Sequence, residues 1–399
     1  MPAAHFFATN LEEVGLDPAK VQALFDRAER EVKEGLLPAS QVAIARNGKL
    51  GAMQTFGRAV QGGTEKPATN DTHFVIMSST KALTAASAWI MMQEGALRLD
   101  DRIADYIPEF GTNGKDAVSV EHCLVHTSGI PYAPHWQKEW ADPQRRVDRF
   151  AQWRLSHAPG EKFEYHISSN FWAVAAIIEK QTGQSLSEFV RTRIAEPLGL
   201  PELRIGLPPS GNEQVADGAW VGQDLSPEEY EKMGLKGFGK TTSAISEDGV
   251  LELNETVTRQ AGSPSAGCIT TAGDIALFYQ ALLNDGRAHD GNQVWQPEIL
   301  AQARQPRTGD LRDPFLGHRA LRGLGIAIAG GDGKANLRAF GKTNSAEAFG
   351  HPGFGGQSGW ADPATGISFG YLTNGFDRNA LREGRRRVAL SSLAASCAV

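Results

Sequence analysis

The stretch Met77-Ser78-Ser79-Thr80-Lys81 governs the interpretation of the whole chain. It follows the apolar residues 74–76 and opens a segment with helical character, residues 82–94. Residues three apart on a helix share a face, so the Lys81 amine is expected one turn from the Ser78 hydroxyl. Serine is a weak nucleophile at its own pKa and needs an adjacent base. The spacing therefore predicts an activated serine, although about one Ser-x-x-Lys arises by chance in a chain of this length.

The bulk composition predicts an ordinary folded protein that does not bind nucleic acid. Hydrophobic residues make up 41% of the 399 residues and charged residues 22%, as in a typical globular chain. The formal net charge of −6 argues against the basic surface that nucleic-acid binding requires. A basic cluster, Arg382 with residues 385–387, is interpreted as a solvated helix face.

Cysteine usage and hydropathy predict a cytoplasmic location with no membrane partner. Three cysteines make no disulfide framework, and residues 1–8 lack the basic region of a signal peptide. The longest apolar stretch, residues 82–92, is too short to span a bilayer. The sequence leaves the oligomeric state open.

The order of predicted elements indicates one sheet built from both ends of the chain. A helix is predicted from Asp17 to Lys33, with Asp17 as its N-cap, followed by a hairpin over residues 41–56. A long irregular excursion is predicted over residues 207–267. Later elements are strands at residues 323–329, 357–361 and 367–373 and a helix at 378–395.

This order predicts a split domain with a helical insertion. The expected units are an α/β domain of residues 1–77 and 268–399 and a mostly helical domain of residues 78–267. Ligand pockets favour domain interfaces, so the active site is expected between the two units.

Several short motifs occur in a recognisable order between about residues 20 and 375. They are Ser78-Ser79-Thr80-Lys81, residues 97–101 with 106–110, the stretch Leu124-Val125-His126-Thr127-Ser128-Gly129-Ile130, residues 159–165 (Pro-Gly-Glu-Lys-Phe-Glu-Tyr), and His351-Pro352-Gly353. Together they resemble the serine β-lactamase and D-alanyl-D-alanine carboxypeptidase superfamily, on its class C-like branch. Within that branch the chain is most similar to the family VIII carboxylesterases.

The resemblance implies an α+β fold of the serine β-lactamase type, with an antiparallel sheet packed by terminal helices plus an all-helical domain. It also implies an acyl-enzyme mechanism with Ser78 as nucleophile and Lys81 and Tyr165 as proton handlers. The family pattern makes the backbone N–H groups of Ser78 and Phe354 the oxyanion hole. Gly353 would let a substrate lie close to its strand. For Lys81 to act as a base, its pKa must fall from about 10.4 toward about 7–8.

Two departures from the family pattern bear on the substrate. β-Lactamases usually carry Tyr-x-Asn, whereas this chain has Tyr165-His166-Ile167, and Asn170 is the candidate to replace the missing amide. His351, counted with the catalytic residues, stands where β-lactamases keep a lysine. An unperturbed histidine is mostly neutral at pH 7, so this site should favour neutral esters over carboxylate substrates.

Competing motifs carry less weight. Gly366-Ile367-Ser368-Phe369-Gly370 matches G-x-S-x-G, but no histidine follows it to complete a triad. His122 and His126 have helical metal-ligand spacing without the HExxH glutamate, so no metal is expected. No cofactor motif is present in the sequence.

The predicted function is a serine carboxylesterase acting on small or short-chain esters. Candidate pocket-lining residues are Tyr132, His135 and Trp136, with Trp140 beside them. The alternatives are a β-lactam or amide hydrolase (including a D-amino-acid peptidase), an acyltransferase, and a non-catalytic penicillin-binding-like module.

Overall fold

A computed structural model describes residues 1–233 and 246–399. Its strands are β1 Ala39–Arg46, β2 Lys49–Gln61, β3 Thr64–Pro67, β4 Phe74–Val75, β5 Arg204–Ile205, β6 Ala219–Val221, β7 Cys268–Thr270, β8 Ala327–Ile328, β9 Phe349–Gly350, β10 Ser358–Asp362, β11 Ile367–Thr373 and β12 Gly375–Asp377. The main sheet has seven strands in the order β3-β2-β1-β11-β10-β9-β8. Its strand pairs are antiparallel, and β1 pairs with β11, so both ends of the chain build one sheet as predicted.

The helices are α1 Pro18–Lys33, α2 Thr80–Gln93, α3 Ile103–Tyr106, α4 Val120–Leu124, α5 Pro143–Gln152, α6 Ser169–Thr182, α7 Leu186–Val190, α8 Pro227–Lys232, α9 Glu247–Leu251, α10 Thr256–Ala261, α11 Ala272–Leu283, α12 Pro297–Ala303 and α13 Ala380–Ala395. Asp17 caps α1 as predicted, because its carboxylate accepts the amides of Ala19 and Lys20.

Helices cover both faces of the main sheet. Side chains alternate between faces along a strand, so Val42 and Ile44 of β1 pack in one cluster with α1 and α13. Ala43 and Ala45 point the other way and pack in the cluster that contains α11. A Cβ at Gly370 would lie 2.2 Å from the Ala272 carbonyl oxygen, so α11 approaches β11 as closely as it does only because Gly370 has no side chain.

The helix that follows the Ser-x-x-Lys motif is a core helix. Nearly every residue of α2 is buried, and small side chains such as Ala85, Ala86 and Ala88 let other elements approach it from several sides. The Trp89 indole donates a hydrogen bond to the Leu324 carbonyl at 3.2 Å. Lys81 therefore projects from a buried scaffold rather than from a surface helix.

Three local predictions need correction. Residues 207–267 contain β6, α8, α9 and α10 rather than one irregular excursion, and residues 234–245 lie outside the described part of the chain. The strand predicted at 323–329 shrinks to Ala327–Ile328, because Gly325 adopts a left-handed φ of 75° and the Gly323 amide donates to the Ile326 carbonyl in a turn. The basic cluster on α13 is not a solvated face, since Arg386 is 1% exposed and pairs with Glu31 and Asp377.

The predicted domain boundaries at 77/78 and 267/268 remain a prediction. One hydrophobic cluster joins α2, α6 and α11, and a small sheet in the order β4-β7-β5 joins segments on both sides of those boundaries. In the part of the chain that the structure describes, no helix combines the length and hydropathy needed to cross a bilayer.

Candidate active site

Ser78 lies in a short 3-10 turn, Met77–Ser79, which runs directly into α2. Met77 holds a left-handed φ of 50°, a conformation that bulky residues rarely adopt and that functional sites often retain. Ser78 is partly buried and lines two cavities. The turn thus presents the serine to open space while its neighbours stay in the core.

Lys81 is fully buried, with its amine against the serine. Its Nζ lies 2.9 Å from Ser78 Oγ and 3.2 Å from the Ser265 carbonyl oxygen. Burial holds the pKa of Lys81 well below its usual value, and the nearby Arg322 guanidinium lowers it further. This is the direction that a base role requires, because only the neutral amine can accept the serine proton.

Tyr165 is the third member of the cluster. Its phenol lies beside the Ser78 side chain, and its ring centroid lies 5.3 Å from Lys81 Nζ. Burial raises the pKa of Tyr165, while the neighbouring Ser78 hydroxyl and the Arg322 charge oppose that rise. The tyrosine is therefore a neutral phenol near pH 7 and a proton donor.

His351 borders the same cluster from the sheet side. Its Nδ1 lies 2.8 Å from the Pro352 carbonyl oxygen, which can only accept, so Nδ1 carries the proton and Nε2 keeps its lone pair. Burial holds the pKa of His351 well below its usual value, with smaller contributions from Arg322 and Lys81. The imidazole is thus neutral, and Nε2 is a buried acceptor without a partner among the described residues.

The segment after His351 packs tightly against the nucleophile turn. The Ser79 hydroxyl donates to the His351 carbonyl at 2.8 Å. A Cβ at Gly353 would lie 2.4 Å from the Ile76 carbonyl oxygen, so only glycine fits there. Phe354 begins a 3-10 turn, Phe354–Gly356, and Ser78 lies in the first turn of its own short helix. Amides at such positions lack intrahelical acceptors.

Two cavities meet at the serine. The larger, of about 460 Å³, lies between the Ser78 turn and the segments around residues 313–339 and 351–354. The smaller, of about 260 Å³, extends toward residues 135–137 and 246–253. Ser78, Ile167 and Phe354 line both. A substrate centred on Ser78 thus has separate space for its two halves.

The predicted pocket-lining residues do not all lie at a cavity. His135 and Trp136 line the smaller cavity. Tyr132 lines neither cavity: its side chain is 70% exposed and its hydroxyl is hydrogen-bonded to Glu164, so its prediction as a pocket residue is wrong. Trp140 is buried and packs edge-on against Trp172, with ring centroids 5.3 Å apart.

Asn170 does not replace the missing Tyr-x-Asn amide. It is fully buried, its Oδ1 accepts the Ser128 hydroxyl, and it lines neither cavity. His166 explains the local structure instead. Its Nε2 accepts the Ile130 amide at 3.0 Å and its Nδ1 lies 2.5 Å from the Glu164 carbonyl oxygen. These bonds fix the loop on either side of Tyr165.

The competing motifs have structural roles. Ser368 lies in β11 and donates to the Ala276 carbonyl at 2.6 Å. His122 accepts the Ser119 amide at the start of α4. Within residues 1–233 and 246–399, no three His, Cys, Asp or Glu side chains group as metal ligands.

Sequence reasoning missed Arg322, and it missed the role of His126. The Arg322 guanidinium carbon lies 5.6 Å from the Tyr165 ring centroid and 5.5 Å from that of Phe163. The His126 ring stacks on Tyr165 with centroids 4.6 Å apart. The sequence feature that could have identified Arg322 is that it is the single charged residue within the apolar stretch 320–329.

The fold and the site together define the class of protein: an α+β protein with the serine β-lactamase fold, in which a serine and a buried lysine meet at a cavity. The family model described as beta-lactamase matches residues 25–394, and the chain belongs to this family. The predicted fold class and family are therefore confirmed.

Individual proteins are similar at lower identity. The chain is 25% identical over 323 residues to the "Esterase/beta-lactamase LipL" of Mycobacterium tuberculosis, covering 77% of this chain and 70% of that protein. A penicillin-binding protein homologue from Caulobacter crescentus superposes with a TM-score of 0.76 at 28% identity, covering 95% of this chain and 98% of that one. A family VIII carboxylesterase also gives a TM-score of 0.76, at 24% identity with 95% and 99% coverage, and so supports the shared fold.

Proposed function

We propose that this protein is a serine carboxylesterase that hydrolyses small or short-chain esters through an acyl-enzyme. One observation carries the proposal. The Ser78 hydroxyl lies 2.9 Å from a buried lysine amine and beside the Tyr165 phenol, at the junction of two cavities. The esterase name of the Mycobacterium relative supports the same reaction class.

In the first step, Ser78 Oγ attacks the ester carbonyl carbon and its proton passes to neutral Lys81. The carbonyl oxygen becomes an oxyanion, which the Ser78 and Phe354 amides stabilise. Each such donor typically lowers the activation free energy by about 2.7–4 kcal/mol. The carbon–oxygen bond to the alcohol then breaks.

The departing alkoxide takes a proton from the Tyr165 phenol, which recovers one from protonated Lys81. The proton removed from the serine thus leaves with the alcohol. Water then attacks the acyl-enzyme, its proton passes through Lys81 and Tyr165 to Ser78 Oγ, and the acid is released. The unpartnered Nε2 of His351 is an acceptor for that water.

A β-lactam or other amide is the second candidate substrate, because the name of the Mycobacterium relative covers both activities. The missing Tyr-x-Asn amide and the neutral His351 disfavour it. A chromogenic cephalosporin separates the two, since turnover comparable to that of an ester would reverse the ranking.

The direct test is hydrolysis of p-nitrophenyl butyrate by the wild type and by Ser78→Ala. The substitution should abolish turnover and labelling by a fluorophosphonate probe. Ser87→Ala is the matched control, because Ser87 lies on the same helix and its hydroxyl donates to the Leu83 carbonyl within that helix. Unchanged hydrolysis by Ser78→Ala would refute the proposal, and product analysis with added alcohol would reveal acyl transfer.

A further inference from the structure

The Arg322 guanidinium borders the larger cavity with one nitrogen that has no hydrogen-bond acceptor among the described residues. The side chain lines that cavity together with Ser78. Its Nη1 is shielded from solvent and has no hydrogen-bond acceptor within the described residues. Leaving a charged donor unsatisfied is costly, so an arginine kept in this state at a cavity wall suggests an acceptor that arrives with the ligand.

The other cations of this cavity are already paired. Arg338 forms an ion pair with Asp332 at 2.5 Å, and Arg387 forms one with Glu383 at 2.5 Å. The Asp313 carboxylate, which also lines the cavity, accepts the amides of Phe315 and Leu316 at 2.9 and 3.1 Å. Arg338 Nε also lacks an acceptor, but Arg338 keeps its carboxylate partner, whereas Arg322 forms no carboxylate ion pair within the described residues.

The position of Arg322 matches one half of a bound ester. Its guanidinium lies over the ring of Tyr165, whose phenol lies beside Ser78. A substrate with its carbonyl at Ser78 therefore reaches Arg322 by extending past that ring. The smaller cavity is lined by Asp248 and Glu252 and by no arginine or lysine among the described residues. In the larger cavity three arginines, Arg322, Arg338 and Arg387, outnumber the two acids Asp313 and Glu383, so a negative group belongs there.

We infer that the preferred ester carries a carboxylate, which Arg322 binds as a bidentate ion pair in the larger cavity. This inference rests on the proposed esterase function. The planar guanidinium matches the geometry of a carboxylate. Leu316, Leu321 and Leu337 line the same cavity and accommodate the hydrocarbon between the ester and the carboxylate. His351 is neutral, so anion recognition falls to Arg322. The expectation that the site favours neutral esters rested on His351 alone, and Arg322 reverses it.

Two substrate pairs test the inference and locate the carboxylate. In the first pair the acyl half is anionic or neutral: p-nitrophenyl hemiadipate against p-nitrophenyl heptanoate. In the second the leaving group is anionic or neutral: the butyrate ester of hydroxynitrobenzoic acid against p-nitrophenyl butyrate. The measured quantity is the ratio of kcat/KM, anionic over neutral, within each pair.

Wild type should prefer the anionic ester of one pair by about tenfold to a hundredfold, as expected for a charge-assisted hydrogen bond. Arg322→Gln should remove that preference and Arg322→Lys should keep part of it. Arg319→Gln is the matched control, because Arg319 pairs with exposed Asp310 and does not line the cavity. The pair that shows the preference identifies the anionic half.

The inference is overturned if wild type prefers neither anionic ester, a result that needs no variant to fold. It is also overturned if Arg322→Gln keeps the preference, or slows both members of a pair equally, since Arg322 would then act only on the Lys81 and Tyr165 charges. Ser78-dependent hydrolysis of the neutral esters in those cases leaves the esterase proposal intact. Absence of any Ser78-dependent hydrolysis refutes both.

Discussion

The imidazole of His126 stacks on the phenol ring of Tyr165, with the ring centroids 4.6 Å apart. His126 has a left-handed φ of 62°, and its Nδ1 accepts the His166 amide at 3.0 Å. His126 thus covers one face of the Tyr165 ring, and its own imidazole is held in place by the hydrogen bond from the His166 amide. His126 positions Tyr165 and contacts neither cavity.

Replacing His126 by Leu should lower kcat by about tenfold with little change in KM. The substitution removes the stack and the acceptor for the His166 amide, each worth about 1 kcal/mol. Steady-state kinetics on p-nitrophenyl butyrate measure kcat and KM separately. His126→Asn, which tolerates the left-handed φ and offers an acceptor, should recover part of the loss. A rise in KM at constant kcat would contradict a positioning role.

Lys81→Met should reduce kcat by about a hundredfold or more, the usual contribution of a positioned base. Lys81→Arg should be equally inactive, because a guanidinium stays protonated at working pH. Circular dichroism would verify that both variants fold. Activity of Lys81→Arg near that of the wild type would exclude the amine as the base.

The pH dependence of stability follows from the depressed pKa of Lys81. Folded Lys81 loses its proton at a lower pH than unfolded Lys81, so the unfolded state binds more protons between the two pKa values and stability rises with pH there. Lys81→Met should therefore be more stable than wild type at low pH. The difference should shrink as pH rises and vanish toward the unfolded pKa of about 10.4.

Urea unfolding at several pH values would measure this difference. Lys162→Met is the control, because the Lys162 side chain is 62% exposed and its removal should leave the slope unchanged. A stability difference between Lys81→Met and wild type that does not vary with pH would contradict a depressed pKa.

Gly353→Ala should abolish most activity and destabilise the fold. The added Cβ would lie 2.4 Å from the Ile76 carbonyl oxygen, and the collision would push the Phe354 amide away from Ser78. Gly384→Ala is the matched control, because a Cβ there meets nothing within 4 Å on α13 and should stabilise the helix by about 0.5–1 kcal/mol. Measuring the activity and the melting temperature of both variants would test this expectation. Full activity of Gly353→Ala would remove Phe354 from the proposed oxyanion hole.

The predictions that succeeded rest on local chemistry. Ser78 and Lys81 meet because positions three apart share one helix face, and Asp17 caps α1 through the amides that follow it. Arg322 was missed because it reaches Tyr165 through tertiary packing, with no fixed spacing to the motif. The role of Asn170 could not be decided from the sequence for the same reason, since the orientation of its amide depends on the distant Ser128.

The buried charges that join the two terminal helices give the last prediction. The Arg386 guanidinium on α13 donates to Glu31 of α1 at 2.8 Å and to Asp377 at 2.9 Å, and all three side chains are almost fully buried. Arg386→Met leaves the two carboxylates without this partner and should cost about 3–5 kcal/mol of unfolding free energy. Arg385→Met, one residue away and exposed, should change it by less than about 0.5 kcal/mol. Denaturant unfolding should therefore give clearly different free energies for the two variants. The network holds α1 against α13 on the sheet face opposite α11, so kcat of the folded Arg386→Met protein should stay close to that of the wild type. Equal stability of the two variants would mean that the apolar contacts of α1 and α13 suffice to hold the terminal helices together.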